Sequence, residues 1–384
     1  MVFTQYGSLF TVVLFTLFLL PAVLMNLLGK KIKLYGMLLN IPMLFLLLGL
    51  NTIQFKQFIL FIAGELVLIM GYYLFRKRVN SEFIYFCVLF ASMWPIILVK
   101  GCIYTSYNML GFVGISYISF RVWQLIIEIK DNHIKKLSIW DVFYFITFFP
   151  TISSGPIDRY ERFMSDVEKK IPRNEYPESY LFQGLSRILR GAIYKFGIAF
   201  LINYYILEAL SEDKTIFSTI IYMYAYTIYL FFDFAGYSHF AIGTSYILGI
   251  RVGENFNKPF LAHNMKEFWE RWHISLSQWF GDYIYKRFVL NTLRNGTFKS
   301  RKVASRIGNL VTMTIMGLWH GPHLFYLLYG VYEGLTLVIT DVYLKSKKYK
   351  QFKQSKLYTP LSRFVCFHVI AFGMLIFSGY LLSI

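Results

Sequence analysis

Two histidines stand out in this chain of 384 residues. His320 closes the run Gly317-Leu318-Trp319-His320-Gly321, after an uncharged, methionine-rich stretch from Asn309 to Met316. His273 lies in Trp272-His273-Ile274-Ser275-Leu276, directly after Glu270 and Arg271. Histidine is the side chain best matched to moving protons near neutral pH, and an ionisable group at bilayer depth is costly enough to suggest a task. His323 follows His320 closely, but Gly321 and Pro322 intervene and no carboxylate is near in sequence, so no metal pair is expected there.

The elements that must hold these residues are membrane helices. Apolar residues make up 56% of the chain and charged residues only 16%, with a mean hydropathy of +0.49. Stretches long enough to cross a hydrocarbon core, which takes ~20 residues, recur along the whole length. The expectation is an all-α polytopic protein, one domain over 1–384, with about eleven spans together with re-entrant and interfacial helices. Cys87, Cys102 and Cys366 are scattered in apolar surroundings and read as packing residues.

Ser8 to Leu28 lacks a basic segment before it and a cleavage pattern after it, so it reads as a retained first helix. Lys30, Lys31 and Lys33 follow it, which places the amino terminus outside by the excess of cations in cytoplasmic loops. Tyr35 to Leu50, Gln57 to Phe75, Glu82 to Val99 and Leu110 to Ile129 continue the pattern, returning Arg76, Lys77, Arg78, Lys130, Lys135 and Lys136 to the cytoplasmic side. Trp140 to Pro156 ends in two prolines with a glycine, which predicts a broken or re-entrant helix. Asp158 to Ser179 mixes both charge signs and reads as a cytoplasmic surface loop. Later spans are expected over Leu185 to Ile206, Ile216 to Phe232, His239 to Ile250, Ile307 to Trp319, Leu324 to Tyr343 and Phe364 to Leu382. No fixed-period repeat supports a transporter built from repeated halves.

From Arg251 to Arg306 the chain is too polar to cross and too aromatic to be a free linker, so it should lie on or dip into the interface. Its last part, Lys286 to Arg306, is basic and contains no acid. From charge alone those cations serve either anionic lipid headgroups or an acidic protein. Asp233 ends an aromatic run and suits either a substrate contact or a buried ion pair; Glu65 and Glu333, inside apolar segments, receive no role.

Four segments follow one another in a telling order: Phe231-Phe232-Asp233-Phe234-Ala235-Gly236-Tyr237-Ser238, Asn255-Phe256-Asn257-Lys258-Pro259-Phe260, Phe268-Trp269-Glu270-Arg271-Trp272-His273, and Gly317-Leu318-Trp319-His320-Gly321. In content and spacing they resemble the membrane-bound O-acyltransferases (MBOAT). Gly114-Ile115-Ser116-Tyr117, Phe120-Arg121 and Ser154-Gly155-Pro156-Ile157-Asp158-Arg159-Tyr160 resemble the branch of that family that D-alanylates teichoic acids. The likeness covers a motif-bearing core of about 110–340.

The resemblance implies acyl transfer to a hydroxyl, with His320 as the principal catalytic residue and His273 as its companion. Trp319, Asp233 and Trp272 become candidates for lining a substrate tunnel. For that branch the donor is D-alanine on the phosphopantetheine thioester of a small acidic carrier protein in the cytoplasm, so no cofactor is bound permanently. The acceptor is ultimately lipoteichoic acid outside, reached with other membrane proteins of the D-alanylation system. Lys286, Arg287, Val289, Leu290 and Arg294 are then the candidates for docking the carrier. The setting is the bacterial plasma membrane and its lipids, with no nucleic-acid partner and no metal expected. A polysaccharide O-acetyltransferase of the same fold and a transporter or flippase remain as alternatives.

Overall fold

The computed structural model describes residues 9–49, 52–101 and 111–382. Cys102, Ser8, Leu50, Asn51 and Leu110 lie outside the described residues. Helices dominate, and among the described residues the extended pairing is one antiparallel bridge between Phe256 and Trp272. Five helices are long and apolar enough to cross a bilayer: Ile53–Arg76, Glu82–Gly101, Ile216–Ile247, Leu324–Leu344 and Tyr358–Phe377. Val13–Leu27 and Lys33–Leu48 are shorter apolar helices. The chain forms two compact units, one of residues 1–191 with 237–253 and one of residues 192–236 with 254–384.

The first unit holds α1 (Leu9–Leu27), α2 (Lys33–Leu48), α3 (Ile53–Arg76), α4 (Glu82–Gly101), α5 (Ile115–Lys130), α6 (Ile139–Thr147), α7 (Tyr160–Glu168) and most of α8 (Gln183–Ala192). Thr52 starts α3 by accepting a hydrogen bond from the Phe55 amide at 3.1 Å, satisfying one of the donors a helix start leaves over. α3 and α4 turn Leu60, Val67, Phe83, Phe86 and Phe90 outward as an apolar face suited to lipid, while α5 is buried along most of its length.

The break expected near Pro150 is present. α6 stops at Thr147, a single 3-10 turn covers Phe149–Thr151, and the carbonyls released there meet Arg121 of α5. Its guanidinium donates to Phe145 O at 3.0 Å, Ile146 O at 3.2 Å and Thr151 O at 2.7 Å. Asn40 of α2 adds a donor to Thr147 O at 3.0 Å and accepts from the Phe149 amide at 2.8 Å. Irregular backbone is tolerated in such a place because the freed carbonyls of Phe145, Ile146, Thr147 and Thr151 have protein partners. Gly155 is required: a Cβ there would stand 2.6 Å from Thr151 Cα.

Asp158 to Ser179 is more ordered than a surface loop. α7 buries Tyr160, Phe163 and Val167, and Tyr176 and Tyr180 beyond it are buried as well. Its charges pair locally, with Arg162 bonded to Asp158 and, at 2.9 Å, to Asp166. The mixed charges therefore cover one face of an amphipathic helix rather than a solvated linker.

The second unit begins with a helical stretch that alternates α and π turns around α9 (Phe200–Ile202) and continues into α10 (Ile216–Ile247), whose residues from Tyr237 onward belong to the first unit. The sequence divides this last region at Asp233, yet the structure joins both parts in one helix of 32 residues. No proline interrupts it, and Asp233 is ion-paired with Lys195, so the backbone need not open to hydrate the carboxylate. α11 (Met265–Trp269), α12 (Ile274–Phe280), α13 (Lys286–Arg294), α14 (Arg301–His320), α15 (Leu324–Leu344), α16 (Lys347–Phe352) and α17 (Tyr358–Phe377) complete the unit.

α14 and α15 form a tightly packed antiparallel pair. A Cβ on Gly317 would stand 2.9 Å from Gly330 Cα, and one on Gly334 the same distance from Leu310 Cα. Gly330 and Gly334 enclose Val331-Tyr332-Glu333, the small-xxx-small spacing that lets membrane helices approach backbone to backbone. At the other end of the pair, Arg306 holds Asp341 at 2.9 Å.

Candidate active site

His320 is the last residue of α14, and Gly321 lets the chain turn past an aromatic wall, since a Cβ there would stand 2.8 Å from the Tyr326 ring. The imidazole is half-buried. Trp319 stands 4.7 Å away by ring centroids, Phe377 of α17 4.9 Å, Tyr326 5.8 Å and Tyr329 6.4 Å. His320 is thus surrounded by aromatic rings, two of them from tyrosines of α15.

His273 is built differently. It precedes α12 with φ 43°, one of three non-glycine residues in the left-handed region among the described residues. Such a conformation costs ~1–3 kcal/mol and persists where the surroundings impose it. Here they are explicit: Phe256 pairs with Trp272, the Asn257 amide donates to Arg271 O at 2.9 Å, and the Ile274 amide donates to Asn255 O at 2.9 Å. Ser275 Oγ donates to the buried Asn255 side chain at 2.6 Å. Two motifs that are separate in sequence therefore form one clasp around His273.

The turn leading to that clasp is fixed by charge. Asn264 caps α11 by accepting from the Glu267 amide at 3.0 Å, and Glu267 accepts from the His263 amide at 2.9 Å and from Arg271 at 2.7 Å. Trp272 fills a cage of Phe231, Phe256, Phe260 and Phe268, with centroids 5.1–6.2 Å apart. Phe234 meets the His273 ring edge-on at 4.6 Å.

His273 is 4% exposed and lies outside the spanning helices. Burial, and then the charge of His320, depress its pKa from the usual 6.5 to about 3. It is therefore a neutral imidazole at physiological pH, able to donate or accept a hydrogen bond but not to hold an anion by charge. His320 lies near enough to act on it electrostatically.

The other candidates are distributed less evenly. Trp319 is beside His320, whereas Trp272 belongs to the packed cage behind His273. Asp233 turns to Lys195, whose side chain is only 4% exposed, while its neighbours Phe231 and Phe234 face the His273 clasp. Among the docking candidates, Lys286 and Arg294 are exposed, Arg287 is half-buried, and Leu290 is 68% exposed. Val289 is buried beneath them, its Cγ2 2.9 Å from where a Gly308 Cβ would be. Cys366 is buried and Cys87 exposed. Among the described residues no three His, Cys, Asp or Glu side chains gather where they could share a metal ion.

Tyr326, Tyr329, Phe377 and Lys195 were not legible as site residues. Tyr326 and Tyr329 carry a signal after the fact, a helical spacing that places both beside His320; Phe377 and Lys195 are brought in only by tertiary packing.

Several helices are long and apolar enough to cross a bilayer, and two histidines, one closing a helix and one buried, sit among aromatic rings. The chain belongs to the membrane-bound O-acyltransferase family, whose profile matches residues 32–383. It is 40% identical to the teichoic acid D-alanyltransferase of Bacillus subtilis (strain 168) over 389 residues, 98% of each chain. It is 35% identical to the teichoic acid D-alanyltransferase of Streptococcus thermophilus, over 98% of this chain and 95% of that protein. A probable alginate O-acetylase AlgI of Pseudomonas aeruginosa is 32% identical over 62% of this chain and 45% of its own length.

Proposed function

We propose that this protein transfers D-alanine from the phosphopantetheine thioester of a small acidic cytoplasmic carrier towards hydroxyls of lipoteichoic acid, with His320 as the base. The observation that carries the reading is the pairing of a half-buried His320 with a neutral, buried His273 in an aromatic enclosure. Likeness to teichoic acid D-alanyltransferases over nearly the whole chain favours this acceptor over the sugar acetylation named for relatives that match 62% of the chain.

In this mechanism His320 takes the proton of the acceptor hydroxyl as its oxygen bonds to the thioester carbonyl carbon. The carbon–sulfur bond then breaks and the imidazolium returns the proton to the departing thiolate, leaving an ester and a free thiol. Base catalysis of this kind contributes ~10²–10⁴ in rate. Neutral His273 donates a hydrogen bond to the carbonyl oxygen as negative charge grows there, a stabilisation that strengthens in a site poor in water.

The basic segment runs into the first turns of α14, and α14 has 20 residues, so His320 lies ~30 Å along the helix from its basic end. A carrier held by Lys286, Arg287, Leu290 and Arg294 reaches the histidine only through a long flexible arm, which suits pantetheine. The carrier side is the cytoplasm and the amino terminus lies outside, in the plasma membrane of a bacterium.

The test is the D-alanine ester content of cell walls in cells whose sole copy carries His320→Ala at normal abundance. Ester content should fall to background; wild-type content refutes the assignment. Purified protein given D-alanyl carrier or an acetyl donor separates D-alanylation from acetylation.

A further inference from the structure

Glu333 is a fully buried carboxylic acid in a membrane-crossing helix. Its Oε2 accepts a hydrogen bond from Trp269 Nε1 at 3.2 Å, while Oε1 has no hydrogen-bond partner among the described residues. Gly373 of α17 leaves the room for that second oxygen, since a Cβ there would collide with it. A polar group this deep is expensive, and a leucine would fill the same space against α17 without that penalty. Packing alone does not call for the carboxyl.

What Glu333 touches does. Trp269 ends α11, four residues before His273, and is itself buried. On α15, Tyr329 lies about one turn before Glu333 on the same face, and Tyr326 about one turn before that; both rings stand beside His320. One face of α15 thus carries two tyrosines against the first histidine and a carboxyl that grips the segment of the second. The clasp formed by Asn255 and Phe256 shapes the backbone of His273 locally, and the Trp269 bond ties that segment to the helix flanking His320.

We propose that Glu333 is a positioning residue for acyl transfer: by holding the Trp269 indole it fixes where His273 stands relative to His320, without touching substrate. The proposal rests on the reading of the two histidines as the reacting pair.

The test uses the full-length protein in lipid vesicles, supplied with D-alanyl carrier and acceptor. Trp269→Phe removes the donor and Glu333→Leu the acceptor. Each should lower kcat on the order of 10- to 100-fold, the usual effect of a misplacement near 1 Å. The KM for the carrier, whose docking lies elsewhere, should stay within about twofold of wild type. The double variant should be no worse than either single one, and Glu333→Gln, which keeps a carbonyl oxygen for the indole, should restore most of the rate.

Wild-type turnover in Trp269→Phe, or losses that multiply in the double variant, overturn the proposal. Should Glu333→Leu fail to accumulate, Trp269→Phe and Glu333→Gln decide the matter alone. A wild-type protein that transfers no D-alanine refutes the proposed function instead. The positioning is then read from the rate at which diethyl pyrocarbonate modifies His273: faster in Trp269→Phe than in wild type supports it, and equal rates sink it.

Discussion

Gly317→Ala sets two effects of known size against each other. In a bare helix the change favours folding by ~1 kcal/mol, because alanine has the better helix propensity. Here the added methyl meets the Tyr326 carbonyl and lies 2.9 Å from Gly330 Cα, and neither is the flexible end of a side chain. Overpacking of this kind costs ~1–3 kcal/mol, so the balance is destabilising. The strain would be relieved by parting α14 from α15, which moves His320 away from Tyr326 and Tyr329. A shift near 1 Å is worth on the order of 100-fold in rate, so activity should suffer more than stability. Gly71→Ala is the matched control: it is also in a spanning helix, and an added Cβ would meet nothing within 4 Å. The assay is the unfolding midpoint of the purified protein together with D-alanyl transfer. A Gly317→Ala protein with the stability and turnover of the Gly71→Ala control would show that the close approach of α14 and α15 does not position the histidine.

Three further outcomes follow from the same geometry. Lys195→Met leaves Asp233 without its cation and should destabilise by ~3–5 kcal/mol at most, reduced because Asp233 is 26% exposed; adding Asp233→Leu should recover much of the loss, read as membrane abundance and unfolding midpoint. Asn255→Ala removes the acceptor of Ser275 and loosens the left-handed turn at His273, which should cost ~1–3 kcal/mol and lower kcat more than it raises KM. His273 is neutral in the fold, with its pKa depressed to about 3, so its contribution is complete above the unfolded value near 6.5 and is lost as pH falls towards 3. At pH 5 the proton bound by the unfolded chain weakens the fold by ~2 kcal/mol, and the unfolding midpoint of His273→Asn should fall less steeply than wild type between pH 7 and pH 5.

Much of the candidate site could be picked out from the sequence because its residues sit in short, local motifs. Trp319, His320 and Gly321 are neighbours in sequence and in space, and the proline break after α6 announces itself by residue type. The pairing of Asn255 to Asn257 with Arg271 to Ser275 was not legible, since the two segments are individually distinctive and nothing in either names the other. Asp233 misled the division of α10, because a charge in an apolar run reads as a boundary until its lysine is found 38 residues earlier, in a different helical segment. Val289 and Leu290 are adjacent and equally apolar, and only the turn of α13 against Gly308 buries one and exposes the other. Glu333 lacked a role for the same reason as Asp233: its partner, Trp269, lies in another segment.

Arg121 has a consequence for how the chain enters the membrane. Taken alone, α5 would carry a guanidinium among apolar residues, at ~2.5–3.5 kcal/mol if it met the centre of a bilayer, and the segment around Pro150 would bring carbonyls with nothing to accept. Each is the remedy for the other, since the arginine spends its hydrogens on Phe145, Ile146 and Thr151. Neither segment is a good passenger through an insertion machinery by itself, and the two are best released into the bilayer together, as a preassembled hairpin. Lysine could not replace the arginine in that role, because a single ammonium cannot reach across carbonyls spread over a helix end and the turn beyond it.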